Sequence, residues 1–382
     1  MAHILTRFER FTLTSLRLCR RYFDFASQDY LSLASHPKIK EAAKTAADHY
    51  GVHSAGSPAL MGNTAPSIRL EKELAAFVGM CECIVFPTGW AAAYGAIRGL
   101  VRANDHIVID QLAHASLMEG AKAATKNVHV FPHLSLRGLE RSLKRVRLAN
   151  PDSGILVVTE SLFSMDSDSP DLAAHQELAR KHEAFLLVDA AHDLGCLGLT
   201  GRGHLEMQGM LGKIDLLMGS FSKTFASNGG FVASNHPAMK LALRSGSCPQ
   251  TFSNALSPIQ ACIVLEALSI IESEEGQRRR LQMLGNATRL RHELGASGFE
   301  VMGEASPIIP VVIGNSGRSR VITKFCLERG GLVNLVEYPA VSKNAARFRL
   351  QVMSDHTEEH ILRFVGILKQ AAIDADKMLA GI

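Results

Sequence analysis

Long hydrophobic runs, paired cysteines and excess charge are all missing from this sequence. No apolar stretch approaches the roughly 20 residues of a membrane-spanning helix, so no transmembrane segment is predicted. The seven cysteines contain no CxxC pair. This excludes the usual pattern of a metal site or a disulfide scaffold, and reduced thiols favour a cytoplasmic protein. The formal net charge of +4 over 382 residues is small and gives no basis for nucleic-acid binding.

Basic residues are concentrated in two segments. The first 21 residues carry five arginines against Glu9 alone. A transit peptide has this character, but an amphipathic helix leading into Phe23-Asp24-Phe25 is the preferred interpretation. The second segment, residues 277–291, is interrupted by leucines and is interpreted as a solvated helix face. Its alternative role is attraction of a coenzyme A phosphate.

Apolar runs of strand length alternate with helical stretches over the first 250 residues. Short, fully apolar strands separated by helices are typical of a mainly parallel sheet that is covered on both faces, and hence of an α/β fold. The predicted strands are Cys83–Phe86, His106–Asp110, Val128–Phe131, Ile155–Thr159, Phe185–Asp189 and Ile214–Gly219. The predicted helices are Ser67–Val78, Ala91–Val101, Ser116–Ala124, Leu136–Arg147 and Leu172–His182.

The pattern changes after about residue 250. A single long helix is predicted over Pro258–Leu294, with Gly295 as its stop signal. Short strands and helices follow, which indicates a smaller α+β domain. We therefore expect an N-terminal arm (1–45), a large domain (46–250) and a small C-terminal domain (251–382). The later strands are predicted at Ile308–Ile313 and Phe348–Val352, and the helices at Val321–Arg329 and Glu358–Asp376.

The most informative feature is an acid and a lysine that end two successive apolar runs. Asp189 and His192 end one run, and Lys223, flanked by hydroxyl residues, ends the next. Ligands bind at the carboxyl ends of strands in open α/β sheets. A lysine that forms a Schiff base and a carboxylate that meets the pyridine nitrogen are what pyridoxal phosphate (PLP) requires. Alone, Asp189 also fits a helix N-cap and Lys223 an ordinary surface lysine.

Other strand ends carry residues suited to the same cofactor. Ser220 and Ser222 are candidate phosphate donors, and Gly89-Trp90 opens a helix whose N–H groups form a natural phosphate site. His114 is a candidate for stacking on a cofactor ring. A plain turn at Gly89 and a structural histidine at position 114 are the competing interpretations.

The sequence contains three further patterns that resemble binding or catalytic motifs. Arg347 and Arg349 alternate along a late strand and share a face, and either guanidinium suits a substrate carboxylate. Gly195–Gly201 has spaced glycines without the GxGxxG spacing of a nicotinamide site. His53–Gly56 lacks the leading glycine of a nucleophile elbow.

With these residues in hand, the chain resembles the α-oxoamine synthase family of fold-type I PLP-dependent enzymes. The resemblance runs from Ser27-Gln28-Asp29-Tyr30-Leu31 to His356-Thr357-Glu358-Glu359, with collinear motifs. It implies a fold-type I architecture with PLP as cofactor, and it assigns roles by position. Lys223 matches the Schiff-base lysine and acid/base, Asp189 the pyridinium partner, His192 the phenolate partner, and His114 the ring-stacking histidine. Ser164 matches the serine near the phenolic oxygen, and Gly89, Trp90, Ser220 and Ser222 match phosphate contacts. Ser253 matches the residue that reaches the neighbouring subunit's phosphate, and Arg349 the arginine that binds the substrate carboxylate.

The reaction that the resemblance implies is a decarboxylative condensation of a small amino acid with an acyl thioester. Its products are an α-aminoketone, CO₂ and a free thiol, and its sites are shared between the subunits of a homodimer. Gln28 and Ala190 depart from the family's usual residues at their positions. These and other departures leave the amino acid open and the donor as either acyl-CoA or an acyl-carrier protein. The alternatives are an aminotransferase or lyase of the same fold, or a non-catalytic partner subunit, whose signature would be loss of Lys223.

Overall fold

The structure, a computed structural model, describes residues 22–381. The described chain divides into two compact units, one formed by residues 28–282 and the other by residues 22–27 and 283–381. The expected three-part division, with boundaries after residues 45 and 250, stays a prediction. The helix predicted within the first 21 residues lies outside the described part.

A seven-stranded sheet forms the centre of the larger unit. In chain order, the strands of both units of the described chain are β1 (Phe23–Asp24), β2 (Glu82–Phe86), β3 (His106–Asp110), β4 (Val128–Phe131), β5 (Ile155–Glu160), β6 (Phe185–Asp189), β7 (Leu216–Ser220), β8 (Gly230–Ser234), β9 (Ile308–Gly314), β10 (Gly331–Leu332), β11 (Leu335–Val336) and β12 (Ala346–Gln351). The sheet has the order β2-β8-β7-β6-β5-β3-β4. Every neighbouring pair from β7 to β4 is parallel, while β8 runs antiparallel to β2 and β7. The predicted mainly parallel sheet is confirmed.

Helices occupy the connections between these strands. They are α1 (Pro37–Tyr50), α2 (Ala65–Phe77), α3 (Gly89–Leu100), α4 (Ala115–Ala124), α5 (Leu136–Ala149), α6 (Leu172–Lys181), α7 (Gly203–Met207), α8 (Pro237–Gly246), α9 (Cys248–Thr251), α10 (Pro258–Glu272), α11 (Glu274–Ala296), α12 (Ser316–Glu328) and α13 (Glu358–Ala380). Several begin at a side-chain cap: Thr88, Ser135 and Asp171 each accept a hydrogen bond from a backbone N–H of the first turn. Such caps satisfy N–H groups that have no partner within the helix and fix where it begins.

Four inner strands of this sheet are buried on both faces. All residues of β3, β5, β7 and β8 are buried, as expected where helices cover both sides. On one face α3 and α4 contribute Ala92, Ala96 and Ala121 to the main core. On the other, α5 packs against β3 and β4, and α6 packs against β6. Each buried Val or Leu contributes about 1.5–3 kcal/mol to folding.

Strand β8 is the one element of this sheet that the sequence pattern did not predict. It begins at Gly230, directly after Gly229, whose φ of +116° favours glycine. A Cβ atom at Gly230 would lie 2.7 Å from the Gly89 Cα, so the sequence must place glycine where β8 meets α3. In the sequence alone, the pair Gly229-Gly230 is typical of a turn and not of the start of a strand.

The single helix predicted over Pro258–Leu294 is wrong. The chain forms α10 and α11, separated by Ser273, which has extended backbone angles. The Ser273 hydroxyl donates to the Ile270 carbonyl at 2.7 Å and accepts from the Gly276 N–H at 3.4 Å. One serine thus ends the first helix and begins the next. Helix α11 continues to Ala296, one residue past the predicted stop.

The second unit is α+β, as predicted for the C-terminal part. Its three-stranded antiparallel sheet has the order β11-β12-β9, and β1 pairs in parallel with β10. Its core contains Phe25, Ile309, Phe348, Leu350 and Phe364, with Phe25 stacked on Phe364 at 4.2 Å between ring centroids. Over residues 22–381, no helix has the length and apolarity that crossing a membrane requires.

Candidate active site

The carboxyl ends of β5, β6 and β7 and the start of α3 open onto a cavity of about 360 Å³. The cavity lies wholly within the unit of residues 28–282, at the edge of the sheet where ligands bind in α/β folds. It is lined by Thr88, Gly89, Trp90, His114, Ser116, Glu160, Asp189, Ala191, His192, Met218, Ser220, Ser222, Lys223, Asn228 and Gly229. Eight of the residues that the sequence marked as candidates therefore come together here.

The acid of the cavity is Asp189, the last residue of β6. It is buried, and its Oδ1 atom accepts a hydrogen bond from the Ala191 N–H at 2.9 Å. Burial raises the pKa of Asp189, while the positive charges of His114 and Lys223 and the Ala191 N–H act in the opposite direction. The pKa of Asp189 stays above its ordinary value, and the two cations and the N–H group limit that rise.

His192 is held by a residue from far away in the sequence. Its Nδ1 atom shares a 2.9 Å hydrogen bond with the hydroxyl of Tyr30, and both side chains are buried. The sequence indicates Tyr30 only as part of the motif Ser27-Gln28-Asp29-Tyr30-Leu31. Its contact with His192 spans 162 positions and leaves no signature in local sequence.

The opposite part of the cavity is built to receive an anion. Thr88 caps α3 by accepting from the Ala91 N–H at 3.0 Å, so the N–H groups of the first turn face outward from a helix N-terminus. The Ser220 and Ser222 hydroxyls lie 2.8 Å apart. A Cβ atom at Gly89 would stand 2.4 Å from the Ser220 Oγ. Glycine at position 89 therefore lets the helix start approach the serines closely.

Lys223 lies in the turn after β7 and is half-buried. The turn is anchored by the Phe221 N–H, which donates to the Gly229 carbonyl at 2.9 Å, and by the fully buried rings of Phe221 and Phe225. A lysine on such a rigid turn is presented to the cavity by the backbone and not by a flexible loop.

His114 sits at the N-cap of α4 and lines the cavity. Its Nδ1 atom lies 2.7 Å from the Ser116 Oγ, which orients the imidazole ring. Its backbone N–H donates to the Glu160 Oε1 at 2.6 Å. Glu160 was not predicted as a site residue; the only sequence signal for it is a carboxylate at the end of an otherwise apolar strand.

Three predicted site residues do not line this cavity. Ser164 is buried in the turn after β5. Ser253 follows α9 and is half-buried. Arg349 lies on β12 of the other unit, where its N–H donates to the Asn334 carbonyl at 2.9 Å. Their functional roles stay predictions.

A charged cluster follows β3, β4 and β5. His133 bonds through Nδ1 to Asp110 at 2.8 Å and through Nε2 to Asp168 at 3.1 Å. Although burial disfavours the charge, these two carboxylates raise the pKa of His133 to about 10. Asp166 and Asp168 have the chemistry to share a metal ion with His133. However, both imidazole nitrogens are already occupied by carboxylates, and we interpret the cluster as an ionic tie between loops.

The side chains of the cavity fit PLP. They supply a buried carboxylate for a ring nitrogen, a half-buried lysine, imidazoles, and an anion site made of N–H and hydroxyl groups. The sequence comparison agrees: residues 20–368 match the family model for aminotransferase class I and II. The chain belongs to this family.

The 8-amino-7-oxononanoate synthase of Alkaliphilus metalliredigens is 34% identical over 94% of this chain and 89% of its own length. The serine palmitoyltransferase of Bacteroides ovatus is 35% identical over 91% of this chain and 86% of its own length. A high-resolution structure of SPT with PLP superposes with a TM-score of 0.87 and 29% identity, covering 92% of this chain and 87% of that one.

The chain is therefore an α-oxoamine synthase. It has the fold-type I architecture and uses PLP as its cofactor. It is an acyltransferase that condenses an amino acid with an acyl thioester and releases CO₂, as the resemblance implied. The prediction of the family, fold, cofactor and reaction class is confirmed.

Proposed function

We propose that the cavity at the ends of β5, β6 and β7 is the active site of this synthase, with Lys223 as its catalytic residue. The observation that carries the proposal is the convergence of Lys223, Asp189 and His114 with an anion site at Gly89 in one cavity. When bound, PLP supplies an electron sink that stabilises negative charge at the α-carbon of an amino acid. The remaining roles belong to side chains and backbone N–H groups of this chain.

Asp189 would hold the ring nitrogen in its protonated form, because a buried carboxylate at hydrogen-bond distance strongly favours a cation. His192, fixed by Tyr30, would contact the phenolic oxygen, together with Ser164. The first-turn N–H groups of Gly89 and Trp90, with the hydroxyls of Ser220 and Ser222, would hold the phosphate.

Lys223 would move the proton of the amino acid. Its Nζ atom would accept the proton from the α-carbon and return it after the new carbon–carbon bond has formed and CO₂ has left. Its half-buried position in the cavity, together with Asp189 and His114, supports this role. His114 would stack on the cofactor ring and exclude water from it.

The proposed substrates are given as classes: an amino acid and an acyl thioester. The amino acid is a small one, and Arg349 would bind its carboxylate through paired hydrogen bonds. The acyl group would arrive on coenzyme A or on an acyl-carrier protein. We place the reaction in the cytoplasm, in keeping with unpaired cysteines.

We also propose a homodimer, with Ser253 reaching the phosphate site of the neighbouring subunit. Support comes from an apolar surface next to Ser253. Phe252, Leu60 and Met61 are 86%, 75% and 87% exposed, and the two segments are joined by the Ala59 N–H, which donates to the Gln250 carbonyl at 2.9 Å. Large side chains this exposed, grouped together, are typical of an interface.

Substitution of Phe252 by aspartate is expected to weaken the dimer by at least about 10-fold, because burying a charge in an apolar contact removes a central anchor. Sedimentation velocity measures this as a shift from an assembly of two 41.4 kDa chains towards one. Leu148→Asp, at another exposed leucine on α5, is the matched control and should leave the mass unchanged. A wild-type protein that sediments as one chain at all concentrations would contradict the proposal.

The reaction is tested by following visible absorbance of the PLP-reconstituted protein while glycine, alanine, serine, 2-aminobutyrate and S-adenosylmethionine are added in turn. We expect one amino acid to change the band, and we expect that amino acid with an acyl-CoA to release free thiol and CO₂ in equal amounts. Transfer of the amino group to a keto acid without release of thiol would instead support an aminotransferase.

A further inference from the structure

Glu160 is a buried acid of the cavity to which the proposed function assigns no role. It is the last residue of β5, it is 3% exposed, and it lines the cavity. Its Oε1 atom accepts the backbone N–H of His114 at 2.6 Å. That N–H belongs to the N-cap of α4, so one carboxyl group fixes the point at which this helix starts.

Glu160 also lies beside Asp189. The two residues are register partners in the parallel ladder of β5 and β6, and both are buried acids. Two carboxylates in one dry site do not both ionise readily, because each raises the pKa of the other. One acid of the pair is therefore expected to hold its proton more strongly than the other.

The surroundings favour Asp189 as the anion. Its Oδ1 accepts the Ala191 N–H, and the charges of His114 and Lys223 stabilise its ionised form. For Glu160, burial and then the charge of Asp189 raise the pKa well above its usual value, and the His114 N–H and Lys223 only partly oppose this. The other titratable groups that face Glu160 are Asp110, which disfavours its ionisation, and His192, across the same cavity.

We propose that Glu160 is a positioning residue: its carboxyl group anchors the backbone of His114 and, in the protonated form, leaves the negative charge of the pair on Asp189. The inference rests on the proposed roles of His114 and Asp189 and deepens them. Ionisation of Glu160 as the pH rises would place a second negative charge beside Asp189 and change the field on the cofactor.

Two substitutions separate these effects. Glu160→Gln keeps an oxygen that can accept the His114 N–H and is permanently neutral. Glu160→Ala removes the acceptor of the His114 N–H. Glu177→Ala, at an exposed glutamate of α6, is the matched control.

The first measurement is the dissociation constant of PLP at neutral pH. Glu160→Gln should remain within about 3-fold of wild type, whereas Glu160→Ala should bind about 10- to 100-fold more weakly, the range expected when a group that orients a ligand is lost. The second is the visible band of the holoenzyme against pH. The wild-type curve should contain a transition that is missing from the Glu160→Gln curve.

The third measurement needs no cofactor. Hydrogen exchange of the His114 amide in the apoprotein should be slow in wild type and Glu160→Gln and faster in Glu160→Ala. If Glu160→Gln behaves like Glu160→Ala, Glu160 acts as an anion and the inference is overturned. Equal exchange and equal PLP affinity in all variants would also overturn it. A wild-type protein that binds no PLP would instead contradict the proposed function. If its His114 amide still exchanges slowly, the anchoring of His114 by Glu160 would stand.

Discussion

Replacement of Lys223 by alanine is expected to abolish the visible absorbance band of the PLP-reconstituted protein and to lower kcat/KM by about 10³-fold or more, equivalent to about 4 kcal/mol of transition-state stabilisation. Lys223 is the one lysine that lines the cavity of the described chain. No neighbouring side chain there offers a second amine that could take over its proton transfer. Absorbance spectra and steady-state kinetics measure the two effects separately.

The matched control is Lys213→Ala, at an exposed lysine outside the cavity. It should retain the spectrum and the rate of wild type. The Lys223→Ala protein should also keep its circular dichroism spectrum, because Phe221 and Phe225 anchor the turn independently of the lysine. A Lys223→Ala variant with the wild-type band and rate would show that another residue carries the chemistry.

Asp189→Asn is expected to lower kcat by about 10²- to 10³-fold, the range for loss of one preorganised electrostatic contact. Asparagine has nearly the same shape and keeps an oxygen that can accept the Ala191 N–H. It has no charge with which to hold a ring nitrogen protonated. The loss should therefore fall mainly on kcat, with a smaller change in the affinity for PLP.

Asp152→Asn, at an exposed aspartate, is the control for this substitution and should leave the kinetics unchanged. Rapid-quench or steady-state assays with the amino acid found in the screen provide the measurement. If Asp189→Asn retains most of the wild-type kcat, a pyridinium contact at this position is refuted.

The central strands were predictable because burial on both faces leaves continuous apolar runs. Among them, His106–Asp110 and Phe185–Asp189 have the predicted bounds, and so does the edge strand Val128–Phe131. Prediction failed where backbone conformation decides the outcome. The Gly229-Gly230 start of β8 resembles a turn, and the break at Ser273 depends on hydroxyl contacts with both helix ends.

The site was predictable to the extent that its residues follow strand ends directly. Asp189, Lys223 and His114 could be named because the carboxyl ends of parallel strands meet at one edge. The contact of Tyr30 with His192 and that of Glu160 with His114 arise only from tertiary packing. Neither contact produces a local spacing that a sequence can display.

The position of β8 between β2 and β7 has a consequence for how the chain acquires its cofactor. Within residues 22–381, β8 is the only strand hydrogen-bonded to β2. On the ribosome β2 therefore remains an unpaired edge, with α3 behind it, until β8 has been synthesised. Contacts between such distant segments form slowly because a long loop must close first. The proposed phosphate site joins Gly89 to Ser220 across this junction, so it would be completed late. Uptake of PLP would then report that the whole sheet has assembled, and a nascent or truncated chain would not capture the cofactor prematurely.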